Sequence, residues 1–155
     1  FPPKLFKKTF DMLKEAKFPI TVHAGEWDGP ENIFNAIKLL HPTRLGHGVR
    51  SIEDQGLVEL IKELNIVLET CPTSNIATKI YRNYNEHPVK KLFDQGVKIT
   101  VNSDDPPFFN ASIGGEYEVM KNLGLNDDEL KSLTFNAIEN AFCNKEIKNQ
   151  LLNKI

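Results

Sequence analysis

Cysteine is scarce in this 155-residue chain: only Cys71 and Cys143 occur, far apart. That excludes a disulfide scaffold and fits a reducing compartment, so a cytoplasmic setting is expected. No apolar run approaches the roughly 18 residues needed to span a bilayer, and no signal-peptide pattern follows Phe1, so no membrane partner is expected. Positive charge is not in excess either. Lys and Arg number 19 against 21 Asp and Glu, a net charge of −2, which argues against nucleic acid as a partner. Low-complexity segments and linkers are missing. What remains is 40% hydrophobic and 26% charged, the composition of one ordinary globular domain.

Short apolar runs rich in β-branched residues recur along it: Phe18–Ala24, Thr43–Gly48, Asn65–Cys71 and Val97–Ser103. Their length and composition predict strands. Between them, apolar residues three and four apart predict helices over Lys4–Lys17, Asn32–Leu40, Leu57–Leu64 and Pro88–Asp94. Beyond Pro107 the pattern turns helical throughout, over Glu116–Leu123, Asp127–Leu133 and Phe135–Leu152, with Asn126 or Asp127 as a cap. Strands alternating with helices predict βα units feeding a parallel sheet. A closed (β/α)8 barrel takes about 250 residues, so about four units plus terminal helices predict half of one.

In parallel α/β folds, ligands bind where loops and helix N-termini gather at the carboxyl ends of the strands. There this chain places His23 and Glu26, then His47, then Cys71 to Asn75, and finally Asp104 and Asp105. A lone strand-end histidine is more often structural, and paired acids before prolines more often form a turn and cap. Repetition at the same end of successive strands shifts the balance toward function. Imidazole and carboxylate together suit a zinc-type ion. Because side chains alternate along a strand, Asp104 and Asp105 are expected to diverge, one toward a metal and its neighbour toward a substrate. Cys71-Pro72-Thr73-Ser74-Asn75 reads mainly as a turn and cap, Trp27 as loop packing, and His41 and His87, beside prolines, as surface residues.

The runs HAGE (His23–Glu26), GHG (Gly46–Gly48), ETCPTSN (Glu69–Asn75) and VNSDDPP (Val101–Pro107) resemble, in order and spacing, the signature segments of the adenosine deaminase family. That resemblance covers essentially the whole chain. It implies an eight-stranded βα barrel with one zinc ion, of which this chain is the C-terminal half. It implies His23 and Asp104 as zinc ligands, Glu26 as proton donor to the purine, His47 as the group that orients the attacking water, and Asp105 as a contact to the base. The implied reaction is hydrolytic deamination of a 6-aminopurine nucleoside, with adenine or aminodeoxyfutalosine as alternative substrates. Pro72–Ala77 looks slightly closer to nucleoside-acting members. The family's His-x-His pair, which supplies further zinc ligands, does not occur here. The 155 residues alone are therefore expected to hold zinc poorly and to be inactive.

Two other classes compete. A two-metal hydrolase of esters or cyclic amides needs a bridging lysine at a strand end, and none is there. A non-catalytic scaffold predicts erosion of Glu26, His47 or Asp105, and all three are intact.

Overall fold

A computed structural model describes residues 1–155. Four strands, β1 (Thr21–Ala24), β2 (Arg44–His47), β3 (Val67–Thr70) and β4 (Ile99–Val101), pair in parallel in sequential order. Sequential parallel order with a helix at each crossover is the pattern of a barrel wedge, half of a (β/α)8 barrel. Each strand is shorter than its apolar run. Phe18 stays exposed, and at the other end the chain leaves the sheet after Val101.

Nine α-helices surround the sheet: α1 (Lys7–Glu15), α2 (Pro30–Leu40), α3 (Gln55–Glu63), α4 (Pro72–Ala77), α5 (Val89–Asp94), α6 (Pro106–Phe109), α7 (Ile113–Asn122), α8 (Asp127–Glu139) and α9 (Lys145–Leu152). Their starts follow local chemistry. Pro30 sits in the first turn of α2, where its missing N–H costs no intrahelical bond. Asp54 accepts from the Leu57 N–H ahead of α3. Asn126 and Glu129 close a reciprocal capping box at α8. The apolar pattern over Phe135–Leu152 does not form one helix. The chain breaks after Glu139, and Asn144 caps a new helix by accepting from the Ile147 N–H.

The core lies on one face of the sheet. Ala24, Leu45, Leu68, Ile99 and Val101 point outward against Ile33 and Ile37 of α2, Val58 and Ile61 of α3, Leu92 of α5, Met120 of α7 and Leu133 of α8. Full burial of each such aliphatic side chain contributes about 1.5–3 kcal/mol. The opposite face is polar. Thr21 and His23 of β1 are exposed there, and Arg44 of β2 pairs with Glu69 of β3 at 3.1 Å. Glu69 also accepts from the Thr21 hydroxyl at 2.5 Å, which ties three strands together. No helix is long and apolar enough to cross a membrane.

Candidate active site

The carboxyl ends of the four strands open onto one cavity of about 310 Å3, whose walls include His23, Gly46, His47, Glu69, Cys71 and Asp104. His23 comes from β1 and lies in register with Gly46 of β2. Its ring stands 5.5 Å from that of His47, tilted by 51°. His47 closes β2 in the left-handed region, at φ 61°, and Asp104 does the same beyond β4 at φ 56°. Non-glycine residues held there store strain, about 1–3 kcal/mol each. Asp104 and Asp105 both lie beyond β4, so strand alternation does not direct them, yet Asp104 lines the cavity and Asp105 does not. β4 stops at Val101, and Pro106 begins α6 instead of ending a strand.

His47 is the centre of the arrangement and is almost fully buried, at 2% exposure. Its Nε2 lies 3.5 Å from Glu26 Oε2 and 3.7 Å from Asp104 Oδ2. Both distances exceed a good hydrogen bond; the three groups flank a common space. Burial pulls the His47 pKa below its usual value, while the Glu26 and Asp104 carboxylates oppose that shift. Glu26 arrives through Gly25, whose φ of +75° turns the chain sharply and where a Cβ would sit 2.2 Å from the Ile33 side chain. Beyond Glu26 lies a second cavity of about 380 Å3, which Trp27, Arg50 and Tyr81 help to form. The Trp27 indole is 65% exposed, so it packs no loop. Its carbonyl instead accepts from Arg50 Nη1 at 2.6 Å.

The structure therefore brings His23, His47, Asp104 and Glu26 together. Asp105 is exposed, lies outside the cavity wall and makes no cap bond to α6. Asp104 is held in place by Ser74, whose hydroxyl donates to Oδ2 at 2.6 Å. The segment read from sequence as a turn and cap is thus a structural partner of the site. Asn75, fully buried, lies 3.2 Å from His47 Nδ1 and 3.0 Å from His87 Nε2. His87 is not a surface residue. It is 2% exposed, its ring meets Tyr81 edge-on, and burial pushes its pKa down to about 4. His41 is exposed, as expected. His87 lies just ahead of α5, far from either flanking strand, and beside Pro88 nothing in the sequence marks it as buried.

Donor atoms of His47, Cys71 and Asp104 lie within 4.8 Å of one another, so the tightest trio includes a thiol and omits His23. Burial, reinforced by the carboxylates of Asp104 and Glu116, drives the Cys71 pKa well above its usual value. The thiol stays protonated and donates to the Glu69 carbonyl at 3.7 Å. That protonation holds for the metal-free site; imidazole, carboxylate and thiol all face one space, and imidazole with carboxylate is a set that suits a divalent metal ion.

A sequence profile described as adenosine deaminase matches residues 1–155. The chain is 44% identical over 151 residues to an adenine deaminase of Rhizobium rhizogenes, covering 97% of this chain and 47% of that protein. Among solved structures, an adenine deaminase from Arthrobacter aurescens superposes with a TM-score of 0.92 at 30% identity, over 98% of this chain and 47% of that one. An amidohydrolase from Burkholderia ambifaria with bound Zn gives 0.87 at 28% identity, over 98% and 43%. The chain spans about half the length of the curated relatives it matches. Four strand-end signatures, their shared cavity and a profile match along every residue agree: the chain belongs to the adenosine deaminase family.

Proposed function

We propose that the protein containing this chain hydrolyses the exocyclic amine of adenine at a zinc centre, giving hypoxanthine and ammonia. The observation that carries this reading is the convergence of His23, His47 and Asp104 on one cavity with Glu26 3.5 Å from His47. The relatives named adenine deaminase support the free base over the nucleoside expected from the sequence.

His23 and Asp104 are the residues that would hold zinc, which when bound supplies Lewis-acid activation of water. Glu26, its side chain 16% exposed, is placed to carry a proton to a purine ring nitrogen as the amine-bearing carbon becomes tetrahedral. His47, packed between two carboxylates, orients the water. Ser74 fixes Asp104 by a short charge-assisted bond. Asp105, exposed at the rim, is the remaining carboxylate that could accept from a base N–H.

The test is ammonia release by the intact protein from adenine, adenosine and adenosine monophosphate. Adenine is expected to exceed the other two in kcat/KM by about 100-fold or more, a hydrogen-bonded discrimination of the size specific pockets achieve. Glu26→Gln should cost about 10²–10⁴-fold in kcat with zinc content unchanged. Turnover of adenosine alone would return the reading to a nucleoside deaminase, and no turnover of any aminopurine would end it.

A further inference from the structure

Behind His47 runs a buried chain of hydrogen bonds that can be polarised in only one direction. It begins at the Val89 backbone N–H, in the first turn of α5, where helix donors lack intrahelical partners. That N–H can only donate, and its acceptor is His87 Nδ1 at 3.2 Å. With Nδ1 accepting, neutral His87 must carry its proton on Nε2. Neutrality is secured by burial and by the nearby His47, which together hold the His87 pKa at about 4. The Nε2–H then donates to Asn75 Oδ1 at 3.0 Å. Asn75 is thereby oriented with its NH2 toward His47, 3.2 Å from Nδ1. An NH2 group only donates, so His47 Nδ1 must accept. Its proton resides on Nε2, the nitrogen that faces Glu26 and Asp104.

We propose that Asn75 and His87 are positioning residues that hold the His47 imidazole in the Nε2–H tautomer, with that N–H presented to the cavity. Every member is at most 2% exposed: Asn75 0%, His47 2% and His87 2%. No solvent competes for the bonds, and a reversed Asn75 amide would set donor against donor at His87 Nε2 and acceptor against acceptor at His47 Nδ1. Rotating one member therefore demands rotating all of them, back to a backbone N–H that cannot turn. His47 enters the reaction as a hydrogen-bond donor whose ring is fixed in angle. Neither residue touches the substrate. Their contribution to turnover rests on the deaminase reading, whereas the tautomer itself does not.

The experiment is long-range 1H–15N correlation of the histidine rings in the intact, zinc-loaded protein, beside steady-state kinetics. In the unmodified protein, His47 should show a protonated Nε2 and an unprotonated Nδ1. Asn75→Asp keeps an acceptor toward His87 and replaces the donor toward His47 with an acceptor. It should move the His47 proton to Nδ1 and lower kcat about 10–100-fold, the usual effect of losing an outer partner of a metal site, with KM within about twofold. His87→Leu leaves Asn75 free to turn and should give His47 a mixture of tautomers, which keeps the test readable if the aspartate variant does not fold. Unchanged His47 nitrogens in both variants would overturn the proposal, whatever happens to kcat; so would Nδ1–H in the unmodified protein. The ring measurement needs no substrate, so failure to deaminate any purine would remove the proposed function and leave this test standing.

Discussion

Gly46→Ala separates the site from the fold. Gly46 lies in β2 directly across from His23, and its backbone is not in the positive-φ region, so alanine meets no dihedral penalty. A Cβ there would stand 2.9 Å from His23 Cγ and Cδ2 and 3.1 Å from Nε2. Ordinary contact begins near 3.4 Å, so the ring must retreat by at least about half an ångström. His23 is exposed and has room to do so. Turning it off its rotamer costs about 0.5–1.5 kcal/mol, while replacing a mid-strand glycine by alanine returns about 0.5–1 kcal/mol. The two nearly cancel, leaving a Tm change of about 4 °C or less for a domain of this size. The site is less forgiving. Displacing a metal-binding ring or its partner typically costs 10–100-fold in affinity or activity, and a displacement of about 1 Å near the chemistry can cost 10²-fold. Zinc affinity, measured by competition with a chromophoric chelator on the intact protein, and kcat should both fall by about 10–100-fold at nearly constant Tm. Wild-type zinc affinity in Gly46→Ala would refute the placement of His23 as a ligand. A large drop in Tm would show that the methyl strains the sheet, not the ring.

Ser74→Ala removes the 2.6 Å bond to Asp104 Oδ2. It should weaken zinc about 10-fold or more and lower urea stability by about 1–2 kcal/mol, the smaller part because Asp104 keeps 22% side-chain exposure to water. His87 makes stability pH-dependent. Its pKa is about 4 in the folded chain against an ordinary 6.5, so the unfolded chain binds the proton first. Stability conferred by the neutral ring is complete above about pH 6.5 and declines as pH falls toward 4, by up to about 3 kcal/mol. Urea titrations at pH 7 and pH 5 should show that decline, and His87→Leu should flatten it. An unflattened slope would assign the acid sensitivity to other groups.

The strands, their parallel order and the rim on which His23, Glu26, His47 and Asp104 meet were legible because a barrel repeats one unit and puts polar residues at the same end of each. What escaped was set by tertiary contacts. His87 beside Pro88 looks like a turn residue until α5 and Tyr81 enclose it. Ser74 and Asn75 carry cap chemistry on paper, and only the proximity of β2 and β4 turns their side chains toward His47 and Asp104. Asp105 follows Asp104 in sequence, but both lie beyond β4 and Asp104 has a left-handed backbone, so strand alternation gives no guide to where either side chain points. The helix expected over Phe135–Leu152 failed at Asn144, whose capping bond competes with helix continuation.

His47 and Asp104 both occupy backbone that glycine would adopt without steric penalty. Glycine at either position would relax that strain while deleting the partner of Asn75 or of Ser74, so heat tolerance pulls both ways there and a thermal screen has little reason to erode either residue.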